Sequence, residues 1–220
     1  KHQGRYDFKV LTQCCPELST YLQLNKHGNK SINFFDPKAV KTLNKALLKS
    51  YYGVKWDIPD DYLCPPIPGR GDYVHHLADL LEKKIDVKCL DIGVGANGIY
   101  PIIGICEYNW SFVGADIDPK AIASTEEILK VNASLKDKLE LRLQKSPTDI
   151  FEGIIQEGES FDVSMCNPPF HASMEEAQKG SIRKVNNLTG KKTSKASLNF
   201  GGKSNELWCE GGEVEFVKNM

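Results

Sequence analysis

The chain has 220 residues, 40% of them hydrophobic and 26% charged, with a formal net charge of -1. Those are the proportions of an ordinary globular domain, and they exclude a disordered polyelectrolyte. No apolar run approaches the roughly 20 residues of a membrane helix, the polar N-terminus has no signal-peptide pattern, and seven cysteines without a C-x-x-C pair argue against a disulfide framework or a zinc site. A metal-free, reduced, cytoplasmic monomer with no membrane contact is the expectation.

The charge is segregated. Residues 1–50 carry nine Lys/Arg against three Asp/Glu, residues 51–178 eleven against twenty-two, and residues 179–205 seven (Lys179, Arg183, Lys184, Lys191, Lys192, Lys195, Lys203) with no acid. Basic flanks around an acidic middle suggest a polyanion gripped by appendages; a solvated tail and a disordered loop would have the same composition.

In chain order, residues 1–70 form a basic N-terminal module. The first residue is Lys1 rather than Met, so a non-native start is expected. Asp36-Pro37 predicts a helix start. Val40, Leu43, Ala46 and Leu47 then fall on one face, with Lys38, Lys41 and Lys45 mostly on the other, open to phosphate or simply to water. Three prolines within Cys64–Pro68 exclude a regular helix there, so Gly69-Arg70-Gly71 reads as a loop with an arginine able to fork onto a carboxylate or phosphate. A helix is predicted from Tyr73 to Lys84. His75 and His76 are adjacent, point apart and read as structural.

Residues 71–220 form the core, with alternating strands and helices. Strands are predicted at Val87–Ile92, Ser111–Asp116, Leu139–Lys145 and Phe161–Cys166, with helices at Ile99–Glu107, from Pro119 to about Asn132, and at Thr148–Ile155. This order implies an α/β fold with a mostly parallel, doubly wound sheet. The Gly, Ser, Asn and Lys content after residue 171 predicts a mobile basic loop through residue 205.

Two motifs carry chemistry. Gly93, Gly95 and Gly98 match G-x-G-x-x-G, which serves dinucleotides. Asp91, however, lies at the end of the preceding strand, where an acid disfavours pyrophosphate and suits an ammonium. Asp116 ends the next strand, where an acid can take ribose hydroxyls. That pair favours S-adenosylmethionine over a dinucleotide. The second motif is Asn167-Pro168-Pro169-Phe170 at the end of the fourth strand. Asn167 offers a carbonyl acceptor. The prolines lack N–H groups and leave the Pro168 carbonyl to be aimed outward, and Phe170 offers a stacking face. The arrangement suits a planar amino group.

With these motifs the chain resembles the class I amino-group methyltransferases whose motif is Asn/Asp-Pro-Pro-aromatic, and more narrowly the ribosomal RNA large subunit methyltransferase F family, which methylates adenine N6 in 23S ribosomal RNA and has eukaryotic relatives acting on U6 spliceosomal RNA. The resemblance runs over nearly the whole chain, including Ala39–Leu48, Trp56–Asp60, Leu63–Arg70, Asp72–Leu81, Asp91–Asn97, Cys166–His171, Leu198–Gly202 and Glu206–Val214. It implies a Rossmann-like fold whose C-terminal strands lie beyond this chain. It also implies an S-adenosylmethionine site at Arg70, Asp91, Gly93, Gly95, Asn97, Asp116 and Asn167, with Arg70 on the methionine carboxylate. Adenine would be held at Asn167, Pro168, Pro169 and Phe170. The resemblance also implies ribosomal RNA as the partner and an RNA-binding N-terminal module; from the charge pattern, the expected contacts are Lys38, Lys41, Lys45, Lys184, Lys191, Lys192 and Lys195. Rival readings are a methyltransferase acting on a protein glutamine, a catalytically silent RNA-binding module and a dehydrogenase.

Overall fold

A computed structural model describes residues 1–2, 4–177, 179, 182 and 204–220 of the chain. The N-terminal part opens with α1 (Phe8–Cys14), capped by the Asp7 side chain, which accepts from the Lys9 and Val10 N–H groups at 3.0 and 3.2 Å. A 3-10 turn at Pro16–Tyr21 leads to an antiparallel hairpin, β1 (Leu22–Leu24) and β2 (Lys30–Ile32). Strands of three residues are too short to leave a periodic signature, and the sequence did not announce them.

Helix α2 (Pro37–Tyr52) begins as predicted. Asp36 accepts from the Lys38 N–H at 2.9 Å with Pro37 at the first position, and Gly53 at φ 70° ends it. Its buried face includes Val40, Leu43, Ala46 and Leu47.

Helix α3 (Ile67–Leu80) corrects the reading of the Pro-rich segment. It starts six residues earlier than predicted and stops before Lys84. Pro68 sits in the first turn, where a missing N–H costs nothing, and the Arg70 N–H already donates to the Pro66 carbonyl at 3.2 Å. Arg70 therefore stands on a helix rather than in a glycine loop.

The sheet follows the predicted alternation: β3 (Lys88–Ile92), α4 (Ile99–Tyr108), β4 (Ser111–Asp116), α5 (Pro119–Lys130), a short α6 (Ala133–Lys136), β5 (Leu139–Leu143) and β6 (Val163–Cys166). The strand order is β5-β4-β3-β6 and every pairing is parallel. The chain thus walks from β3 to β5 in one direction and returns to place β6 on the other flank of β3. The β3–β6 crevice is where the order reverses, and ligands bind at the carboxyl ends of strands around such a switch.

The sheet's two faces are covered unequally. Cys89, Phe112 and Met165 join one large cluster that also takes in Leu11, Leu43, Leu47, Ile67 and Ile103, so the N-terminal helices and the sheet share a core. On the other face Leu90, Ile92, Val113 and Ala115 meet Ile150 and Ile154, with Phe216 packed alongside. The helix predicted at Thr148–Ile155 is instead a run of turns. Gly153 adopts φ 75°, which a helix cannot use, and the Gln144 amide donates to the carbonyls of Asp149 and Glu152.

The described residues after β6 include the short helices α7 (Ser204–Leu207) and α8 (Gly212–Lys218). His171 pairs with Trp208 in an isolated parallel bridge, donating to Leu207 at 3.2 Å and accepting from Cys209 at 3.1 Å. Among the described residues no helix is long and apolar enough to cross a membrane.

Candidate active site

A cavity of about 360 Å³ opens at the carboxyl edge of the sheet, within the range of small-ligand sites. Its floor is the turn after β3. Gly93, Gly95 and Gly98 all have φ between 54° and 77°, a region that side-chain-bearing residues avoid. The turn is held from three sides. The Thr125 hydroxyl donates to the Gly95 carbonyl at 2.8 Å, Ser124 to Ala96 at 2.9 Å, and the Trp56 indole to Asn97 at 2.9 Å. The Gly95 N–H donates to Asp116 Oδ2 at 2.9 Å, and the other Asp116 oxygen accepts from the Asp118 N–H at 2.9 Å. Burial raises the Asp116 pKa, and these backbone donors oppose the rise.

Asp91 lies just before the turn and is 1% exposed. Neither carboxyl oxygen has a hydrogen-bond partner among the described residues. Burial, helped by the neighbouring Asp116 charge and opposed by Arg70, pushes its pKa up from 3.8 to about 8. A buried carboxyl without a donor is costly unless a ligand completes it.

Arg70 and Asn167 meet across the crevice. Arg70 Nη1 donates to Asn167 Oδ1 at 2.9 Å and to the Tyr100 hydroxyl at 2.7 Å. Asn167 follows β6, whose Cys166 is the register partner of Ile92 at the end of β3. The amine motif and the glycine turn are therefore set side by side by one strand pairing.

The cavity lining contains Arg70, Gly93, Gly95, Asn97, Asp116, Asn167 and Pro169 of the sequence-derived set. Asp91 lies beneath the turn rather than in the lining, and Phe170 is 59% exposed and outside it, as is Pro168. Sequence reading missed Tyr100 and the far wall, to which Glu206, Trp208, Cys209 and Phe216 contribute. That wall is tied to the motif by the His171–Trp208 bridge and to the Pro-rich segment by Glu206, which accepts from the Leu63 N–H at 3.0 Å. The stretch around Trp208 enters the sequence reading only through the resemblance, because no spacing links it to the site.

The α2 lysines are not a free basic stripe. Lys45 pairs with Asp57 at 2.8 Å, and Lys41 pairs with Asp60 and, at 3.5 Å, with Asp57. Asp57 and Asp60 lie between the end of α2 and the Pro-rich segment, outside any helix, so their placement could not be read from helix periodicity. Lys38 is exposed and has no carboxylate partner among the described residues. Lys38 and Lys41 line a second cavity of about 310 Å³. Residues 62–65 divide the two cavities, Leu63 and Pro65 facing the first, Tyr62 and Cys64 the second. Lys184, Lys191, Lys192 and Lys195 lie outside the described residues. His75 makes a polar contact with the Tyr108 hydroxyl at 2.6 Å, in keeping with a structural role.

Residues 1–220 match the family model Methyltransf_10, described as RNA methyltransferase. A ribosomal RNA large subunit methyltransferase F of Cytophaga hutchinsonii is 57% identical over the whole chain, which covers 71% of that protein. The protein of the same name in Bacteroides fragilis is 55% identical, with 77% of its length covered. Among solved structures, the catalytic domain of human METTL16 in complex with the MAT2A 3'UTR hairpin 1 superposes with a TM-score of 0.82 at 30% identity, over 100% of this chain and 74% of that one. The N-terminal domain of human METTL16 in complex with SAH gives 0.69 at 29% identity, over 87% of this chain and 77% of that one.

Proposed function

The chain belongs to the Methyltransf_10 family of RNA methyltransferases, and on that premise we propose that it methylates N6 of one adenine in 23S ribosomal RNA, using S-adenosylmethionine. The observation that carries the reading is that Asn167 and the glycine turn with Asp116 line a single cavity at the β3–β6 crevice.

The residues present fit this cofactor. The orphaned Asp91 carboxyl suits its ammonium group, the guanidinium of Arg70 suits its carboxylate, and Asp116 suits its ribose. When bound, the cofactor supplies a methyl group activated by a sulfonium. The lone pair of adenine N6 is delocalised into the ring, so the protein's task is to concentrate it on nitrogen. Asn167 Oδ1 and the Pro168 carbonyl accept the two amino hydrogens, which favours a pyramidal nitrogen and stabilises the positive charge that develops there. Phe170, exposed before substrate arrives, provides a face for the base. On methyl transfer the surplus amine proton would pass to water, and positioning by these residues would supply most of the rate. The base must leave its stack to enter, which favours an unpaired nucleotide.

The test is to map N6-methyladenosine on ribosomal RNA from cells with and without the protein, and to incubate unmodified ribosomal RNA with the protein and labelled S-adenosylmethionine. A single methylated adenine that appears only with the protein is the expected result. In a parallel incubation with total cell protein, label found there and absent from RNA would overturn it in favour of a glutamine amide acceptor.

A further inference from the structure

The contact between Arg70 and Asn167 points to a role for Arg70 beyond holding the cofactor. A guanidinium carries five N–H donors and no acceptor. Nη1 places one hydrogen on Tyr100 and the other on Asn167, which accounts for that nitrogen completely. Nε and Nη2 hold the other three, and together they form the side-on fork that matches a carboxylate. The same arginine can therefore hold a carboxylate and Asn167 at once, without exchanging one for the other.

The consequence falls on Asn167. A carboxamide is nearly symmetric in shape, and rotation by half a turn exchanges its oxygen for its NH₂ group. Facing an amine, the wrong orientation sets donor against donor. A donor-only guanidinium at 2.9 Å accepts one orientation, the one with Oδ1 toward Arg70, and the remaining lone pair of that oxygen is left for the amine. Arg70 is itself held from moving by its place on α3 and by Tyr100, whose ring also lies 5.5 Å from the guanidinium carbon.

We infer that Arg70, steadied by Tyr100, is the positioning residue that sets the orientation of the Asn167 carboxamide, and that it thereby couples capture of the cofactor carboxylate to readiness of the amine clamp. This rests on the methyltransferase reading of the site. Because coupling between two sites is reciprocal, loss of Asn167 must also be felt by the cofactor.

Three variants test it, with circular dichroism to confirm folding. Arg70→Lys keeps the charge and loses the fork. If Arg70 only binds cofactor, saturating S-adenosylmethionine restores kcat; we expect kcat to remain at least tenfold low at saturation, and recovery to within twofold overturns the inference. Tyr100→Phe removes the hydroxyl that Nη1 shares. We expect a several-fold drop in kcat at saturating S-adenosylmethionine; an unchanged kcat overturns it. Asn167→Ala is read without turnover, by calorimetry with S-adenosylhomocysteine alone. We expect binding three- to tenfold weaker than wild type, and equal affinity overturns the coupling. Failure of the wild-type protein to methylate ribosomal RNA would instead overturn the functional reading beneath it, so the two failures are told apart.

Discussion

The carboxylate of Asp116, at the end of β4, accepts the backbone N–H of Gly95 at 2.9 Å. A residue expected to serve ribose hydroxyls thus also holds the shape of the turn after β3. Its two oxygens take backbone N–H groups, from Gly95 and from Asp118, and the carboxylate keeps acceptor capacity for a ligand. Asp116→Asn turns one of those oxygens into a donor that opposes a backbone N–H. Hydrogen bonds to charged groups contribute about 1.5–3 kcal/mol, so the variant should bind S-adenosylmethionine roughly tenfold to a hundredfold more weakly. Calorimetry on the folded variant checks this, and an affinity within twofold of wild type contradicts it.

Asp91 makes a prediction in pH. Burial, then the charge of Asp116, lift its pKa from 3.8 to about 8. The folded chain therefore keeps a proton that the unfolded chain has released. The stabilising contribution of the neutral carboxyl is full below about pH 4, falls by on the order of 1 kcal/mol per pH unit as pH rises, and levels off above about pH 8. Asp91→Asn removes the slope. The Tm of the ligand-free variant should exceed that of wild type by a margin that grows from about pH 5 to about pH 8 and is constant beyond. Parallel Tm profiles for the two proteins would refute this.

How α4 packs on β4 is tested by Gly104. A Cβ built there would come within 2.5 Å of the Phe112 ring and 3.2 Å of Trp110. Both rings are buried, Trp110 completely, so neither can swing aside cheaply. Alanine would gain about 1 kcal/mol of helix propensity, but overpacking a dense core costs about 1–3 kcal/mol. Gly104→Ala should lower stability on balance, measured by urea unfolding with an unchanged m-value. A stabilised variant would show that the rings have room to yield.

The fold was legible because β3 and β4 carry short buried apolar runs and α2 and α5 carry their own caps. Asp118-Pro119 starts α5 with the same geometry as Asp36-Pro37 starts α2. Ligand-binding residues within those units, such as Gly93, Gly95 and Asp116, could be read because their places relative to a strand end follow from local chain direction. Tyr100 and Trp208 could not. Tyr100 looks like one more apolar residue in the first turn of α4, and its role appears only when α3 brings Arg70 to its hydroxyl. Trp208 reaches the cavity through its bridge to His171, a contact that no periodicity encodes. The Pro-rich start of α3 was misread because proline was weighed as a breaker where its position made it a starter.

The α2 lysines can be separated by how their charge is already spent. Lys45 lies 2.8 Å from Asp57, and Lys41 is flanked by Asp57 and Asp60. Hydrogen bonding and charge from Lys45 and Lys41 hold the Asp57 pKa low despite the opposing effect of burial, so its carboxylate remains ionised at neutral pH. A lysine that contacts phosphate releases condensed counterions and steepens the salt dependence of binding, by about 0.7 in log–log slope per contact on single strands. A lysine already paired with a carboxylate must first give up that partner, and its removal changes the slope little. Lys38→Ala should therefore lower both RNA affinity and the salt slope, whereas Lys45→Ala should leave the slope near that of wild type. Titrating ribosomal RNA fragments against each variant at several salt concentrations measures both quantities. A slope lowered equally in the two variants would mean that Asp57 releases Lys45 to RNA, and the ion pairs of the free protein would then be a resting arrangement rather than a fixed one; two unchanged slopes would remove Lys38 from the RNA contact.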